Sequence, residues 1–66
     1  MTVVVNGETR EVRDGCTVRA LIEALDLPAD GVAVAVDGQV VPRSTHDTTV
    51  LGPGARVEVI RAVGGG

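Results

Sequence analysis

Thr17-Val18-Arg19-Ala20-Leu21-Ile22-Glu23-Ala24-Leu25 sets apolar side chains at positions 18, 21, 22 and 25. That i, i+3, i+4, i+7 spacing lays one apolar stripe along an α-helix, with Arg19, Glu23 and Asp26 outside it. Thr17 stands where an N-cap side chain accepts a hydrogen bond from the first turn. Leu27-Pro28 and Gly31 are expected to end the helix, since proline cannot continue it. The helix therefore has one face to bury, and the flanking sequence must provide the surface.

Upstream, Val3-Val4-Val5 and Glu8 to Val12 read as two strands around Asn6-Gly7. Asn-Gly is favoured in a two-residue type I′ turn, where both positions need φ > 0. Asp14-Gly15 breaks the second strand before the helix. Downstream, Val32-Ala33-Val34-Ala35-Val36 alternates large and small residues with the period of a strand. Asp37-Gly38 is a second hairpin signal, leading into Gln39-Val40-Val41, and Pro42 ends that pairing or puts it at a sheet edge. Arg43 to Thr49 reads as a polar loop, and Val50-Leu51 as a short apolar anchor. Gly52-Pro53-Gly54 is a turn, and Arg56 to Ile60 is the final strand with Val57 and Val59 on one face. The order β-β-α-β-β-β around a single helix indicates an α+β two-layer domain. A hairpin on each side of the helix leaves the last strand free to lie centrally.

Sixty-six residues make one domain, and a chain of this size buries only about 60% of the surface that its unfolded form exposes. Phe, Tyr and Trp are absent, so the core must be built from valine, leucine, isoleucine and alanine. A net charge of −3, with six arginines dispersed from Arg10 to Arg61, argues against nucleic acid, which calls for clustered cations. No apolar run approaches membrane-spanning length. Cys16 is the single cysteine, so no internal disulfide can form, and a cytoplasmic location is expected. Lysine is also absent. Coding bias toward arginine explains that, although it also removes every ε-amine that an activated terminus could acylate.

Conventional catalytic groups are sparse. His46, Cys16 and Ser44 are each the only residue of their type. Cys16 lies just before the helix N-terminus, where a thiolate is favoured, but it is read as a spacer thiol and His46 as a surface histidine. One Cys and one His cannot make a zinc site without carboxylates, so no metal is expected. Gly52-Pro53-Gly54 lacks the GK[ST] continuation of a phosphate loop.

The remaining feature is the end, Ala62-Val63-Gly64-Gly65-Gly66. Read alone, three glycines are either a frayed end or a terminus made to thread into a narrow site. Residues 63–66 are expected to form a flexible tail on a domain spanning 1–62, and fully extended they project roughly 13 Å. A carboxylate becomes electrophilic once it is converted to an acyl-adenylate, after which it accepts sulfur or an amine. On that reading the chain is a carried substrate and not an enzyme.

The chain resembles the thiamine-biosynthesis sulfur carriers, the ThiS family of ubiquitin-like β-grasp proteins. The resemblance rests on Val5-Asn6-Gly7-Glu8, on Thr17-Val18 with Leu21-Ile22, and on Val34-Ala35-Val36-Asp37-Gly38 followed by Val40-Val41-Pro42-Arg43-Ser44. It closes with Gly54-Ala55-Arg56-Val57-Glu58-Val59 and the terminal glycines. It implies a ubiquitin-like β-grasp fold and a Gly66 carboxylate that is adenylated, then converted to a thiocarboxylate. The implied partners are an E1-like adenylating enzyme that consumes ATP, a sulfur donor system such as a cysteine desulfurase, and thiazole synthase. No cofactor is expected on the chain itself. Gly64, Gly65 and Gly66 would enter the partner's active site, with Arg61 and Val63 as contacts at the tail's root. His46 stands where the family often has tryptophan, Ala55 where an acidic residue commonly follows glycine, and Gly64 where Ala or Gln is more usual. Related carriers serve molybdopterin, cysteine or specialised metabolites, and a ubiquitin-like protein modifier would share the same tail.

Overall fold

Both expected hairpins turn on left-handed residue pairs. Asn6 and Gly7 adopt φ of 50° and 83°, and Asp37 and Gly38 adopt 50° and 85°, the signs that a type I′ turn requires. They join β1 (Thr2–Val5) to β2 (Glu8–Glu11) and β3 (Val32–Val36) to β4 (Gln39–Val41). The computed structural model describes residues 1–28 and 31–61. Gly64, Gly65, Gly66 and Val63 lie outside the described residues, as does position 62, the expected domain boundary.

The single α-helix, α1, spans Val18–Ala24. Its first turn leaves N–H groups without intrahelical partners, and each is satisfied from elsewhere. Val18 donates to the Thr49 carbonyl (2.9 Å) and Arg19 to the His46 carbonyl (3.0 Å). Ala20 donates to the Thr17 hydroxyl (3.1 Å), which makes Thr17 the N-cap as expected. On the exposed flank, Arg19 bonds Asp47 (3.1 Å) and lies 3.6 Å from Glu23. The hydrogen bond to Asp47, then the charges of Asp47 and Glu23, raise the Arg19 pKa above its ordinary value.

The helix stops earlier than Leu27-Pro28. Asp26 takes a left-handed conformation (φ 58°). Its N–H reaches the Glu23 carbonyl (3.0 Å), and the Leu27 N–H reaches that of Ile22 (3.2 Å). This 5→2 and 6→1 pair is a Schellman stop, usually made by glycine. An L-residue is disfavoured in that conformation. Asp26→Gly should therefore stabilise the domain by about 0.5–1 kcal/mol, after allowing for the looser unfolded chain. A urea titration checks this, and a lowered midpoint would refute it.

The strand β5 (Arg56–Arg61) completes a five-stranded sheet in the order β2-β1-β5-β3-β4. The last strand lies at the centre, parallel to β1 and antiparallel to β3, and β4 lies at an edge. Val3, Val5, Val32, Val34, Val57 and Val59 form the buried face, and Val18, Leu21 and Ile22 pack onto it from the helix. Leu51 and Ala55 close the end of this core. A mixed sheet covered on one face by one helix is the ubiquitin-like β-grasp arrangement.

Two local expectations need correction. Only half of Val50-Leu51 is an anchor, because Leu51 is buried while Val50 is 61% exposed. Val50 forms an isolated bridge to Thr17, which points its side chain outward. The stretch Arg43 to Thr49 is not a plain loop either. A 3-10 turn at Arg43–Thr45 folds it against the start of the helix, and this buries His46 to 6% exposure.

Candidate functional site

Residues 62–66 follow directly after β5 in the sequence, and the structure shows how that strand is held. Along β3 the pairing runs from Val36↔Val57 to Val32↔Arg61, so Arg61 is still in register. Along β1 it covers Val4↔Arg56 and Val5↔Val57. Beyond that, the main chain of β1 turns away at Asn6, and the Asn6 side chain takes over. Its Nδ2 donates to the Val59 carbonyl (3.2 Å), and the Val59 N–H donates to its Oδ1 (2.9 Å). The sequence pattern marks Asn6 only as a turn residue and does not announce this contact. Nothing local signals it, since the two residues are 53 positions apart.

A depression of about 280 Å³ adjoins the end of β5. Val5, Val59, Leu25 and Leu27 contribute its apolar lining, and Arg10 and Arg61 its cationic one. Arg10 also donates to the Ala24 carbonyl (3.5 Å), a favourable place for a cation at a helix C-terminus. Arg61 is exposed at the root of residues 62–66. The sheet face turned away from the helix carries Ile60, 63% exposed, next to Ala33, and Val40, 78% exposed, next to Ala35.

The structure does not bring Cys16 and His46 into one site. Cys16 is half-buried, packs against the core and donates to the Thr17 carbonyl (3.4 Å). It lines a depression with Ala20 and Ala24, whereas His46 lines another with Arg19 and Ile22. His46 is not a surface histidine: its Nε2–H donates to the Val41 carbonyl (3.1 Å). Its ring is an interior spacer between β4 and the helix start. Ala55 is buried at 6% exposure, where a small apolar side chain needs no polar partner. Among the described residues, no three His, Cys, Asp or Glu side chains gather as metal ligands. No helix among them is long and apolar enough to cross a membrane.

Comparison with known proteins gives a consistent result. The chain is 33% identical over its whole length to a thiazole synthase of Paramagnetospirillum magneticum, of which it spans only 20%. It is 29% identical to the sulfur carrier protein ThiS of Escherichia coli, with both chains covered in full. The crystal structure of a thiamine biosynthesis protein (ThiS) from Geobacter metallireducens superposes with a TM-score of 0.86 at 33% identity, covering all of both chains. The ThiS family profile matches residues 3–66, and with this fold and a sequence that ends in glycines the chain belongs to the ThiS family.

Proposed function

We propose that this protein is a sulfur carrier of thiamine biosynthesis and that Gly66 is the residue that carries the sulfur. The observation that carries the reading is the central β5. It is paired with β3 up to Arg61, the last described residue, and held on its other flank by Asn6 at Val59. Five residues beyond Arg61 the sequence ends in three glycines. Glycine allows the close backbone approach that a narrow enzyme site demands. The chain supplies the carboxylate and its delivery, and the chemistry belongs to partners.

In the first step a Gly66 carboxylate oxygen attacks the α-phosphorus of ATP, giving an acyl-adenylate and releasing pyrophosphate. An E1-like adenylating enzyme performs this step. In the second, the terminal sulfur of a persulfide on a donor such as a cysteine desulfurase attacks the carbonyl carbon and expels AMP. A thiol then reduces the resulting acyl disulfide, being itself oxidised to a disulfide. The product is a thiocarboxylate. Thiazole synthase then accepts the sulfur, and the P. magneticum thiazole synthase, one-fifth of which matches this chain, supports that assignment. Docking uses the tail with Arg61 and Val63 at its root, together with the open sheet face around Ile60. Arg19, Arg10 and the acidic residues keep structural or surface roles, and the reactions take place in the cytoplasm.

The test is the intact mass of the protein after incubation with ATP, its activating enzyme and a sulfur donor. The Cys16→Ser variant serves best, because oxidation of a thiol adds nearly the same mass as exchanging oxygen for sulfur. Fragmentation should place the exchange at Gly66. An unmodified terminus beside a demonstrably active enzyme would refute the carrier reading, and amide-linked conjugates on other proteins would replace it with a protein modifier.

A further inference from the structure

Asn6 serves two purposes at once. Its backbone occupies the first left-handed position of the β1–β2 turn, a conformation that Gly, Asn and Asp all tolerate. Its side chain reaches β5. In the parallel pairing of β1 with β5, Val4 N–H donates to the Ala55 carbonyl and Asn6 N–H to the Val57 carbonyl, both at 2.9 Å. The next bond of a regular parallel pair would run from Val59 N–H to the Asn6 carbonyl. The main chain has by then turned toward Gly7, so the carboxamide oxygen receives that proton. The carboxamide nitrogen adds a second bond to the Val59 carbonyl. A carboxamide presents an acceptor and a donor side by side on separate atoms. Glycine or aspartate would satisfy the turn but not both bonds.

Val59 lies two residues before Arg61. Main-chain groups of a strand alternate in direction, so those of Val59 and Arg61 face the β1 side while those of Glu58 and Ile60 face β3. Among the described residues, the Asn6 carboxamide makes the last bonds holding β5 on its β1 side before residues 62–66. We propose that Asn6 is a positioning residue for the carrier reaction, fixing the direction in which the C-terminal segment leaves the sheet. This inference rests on the sulfur-carrier reading. A carrier whose strand end is fixed meets its partner in the competent orientation. One whose strand end swings is competent only a fraction of the time, and its apparent affinity falls by that fraction.

The experiment compares full-length wild type, Asn6→Gly and Asn6→Asp. Asn6→Gly preserves the turn and removes both bonds, whereas Asn6→Asp keeps an acceptor for Val59 N–H but sets its other oxygen against the Val59 carbonyl oxygen, which repels it. With the activating enzyme and ATP, Asn6→Gly should raise the KM for the carrier about fivefold with kcat retained, and Asn6→Asp should raise it as well. Backbone ¹⁵N order parameters should drop at Val59 and Arg61 in Asn6→Gly and stay unchanged at Val3 and Val34. A purely structural turn residue would lower the melting temperature and leave KM unchanged while both proteins are folded. A wild-type KM, or unchanged order at Arg61, would overturn the proposal. Should Asn6→Gly not fold, the same criteria apply to Asn6→Asp. If the enzyme does not adenylate even wild type, the carrier reading fails instead, and the order parameters still decide the role of Asn6.

Discussion

A chain shortened by Gly65 and Gly66 should fold as the full-length protein does and should be neither adenylated nor thiocarboxylated. The core explains the first half of this result. Among the described residues every buried apolar side chain, from Val3 to Val59, precedes the deletion, and β5 is already paired with β3 as far as Arg61. Far-UV circular dichroism and the urea midpoint should therefore match wild type. The second half follows from reach and shape. Removing two residues shortens an extended segment by roughly 7 Å, several times the misplacement that already costs an enzyme about a hundredfold in rate. It also places Gly64, preceded by branched Val63, where two glycines had been. The expected loss is below detection by pyrophosphate release and intact mass. Retained adenylation of the shortened chain would remove Gly66 from its assigned role.

Leu21→Ala should remove most of the stability. Leu21 is 0% exposed and lies where the helix meets the sheet. Without aromatics, the largest fully buried side chains are Leu21 and Leu51, followed by valines. Truncating such a leucine costs about 2–5 kcal/mol, because the cavity collapses only incompletely. A domain of this size has about 3–10 kcal/mol in total. The variant should therefore be largely unfolded at physiological temperature or unfold at a small fraction of the wild-type urea midpoint. The measurement uses circular dichroism, since the chain has no tryptophan or tyrosine to follow by fluorescence. A cost below about 1 kcal/mol would show that the core repacks around the gap more fully than close-packed interiors do.

These two results depend on features of different legibility. Asn6-Gly7, Asp37-Gly38, Thr17 and the 18-21-22-25 stripe could be read directly, because each reports a conformation set by neighbouring residues. The central place of β5 followed from them, since two hairpins occupy the flanks. What escaped depended on distant partners. His46 looks like any loop histidine until the 3-10 turn presses it beneath Val41 and against the start of the helix. Asp26 carries no mark of a left-handed helix stop, a role that glycine would have announced. Val50 reads as core next to Leu51, but its bridge to Thr17 turns it outward. The Asn6 carboxamide commits to β5 a side chain that the local pattern had already accounted for. The terminal glycines lie outside the described residues, so the roles proposed for Gly64, Gly65 and Gly66 come from the sequence and the family resemblance.

The parallel alignment of β1 and β5 also decides how the domain responds to force. A load applied between the N-terminus and the tail pulls two adjacent parallel strands in opposite directions along their length. The hydrogen bonds between them, including the Asn6 bridge to Val59, then resist together in shear instead of breaking in succession. Forced unfolding is governed by the barrier and not by equilibrium stability. A domain with a small, aromatic-free core can therefore be thermodynamically modest and still hard to pull apart by its end. A carrier handed between enzymes, as proposed above, could in this way be gripped by its terminus without being unravelled.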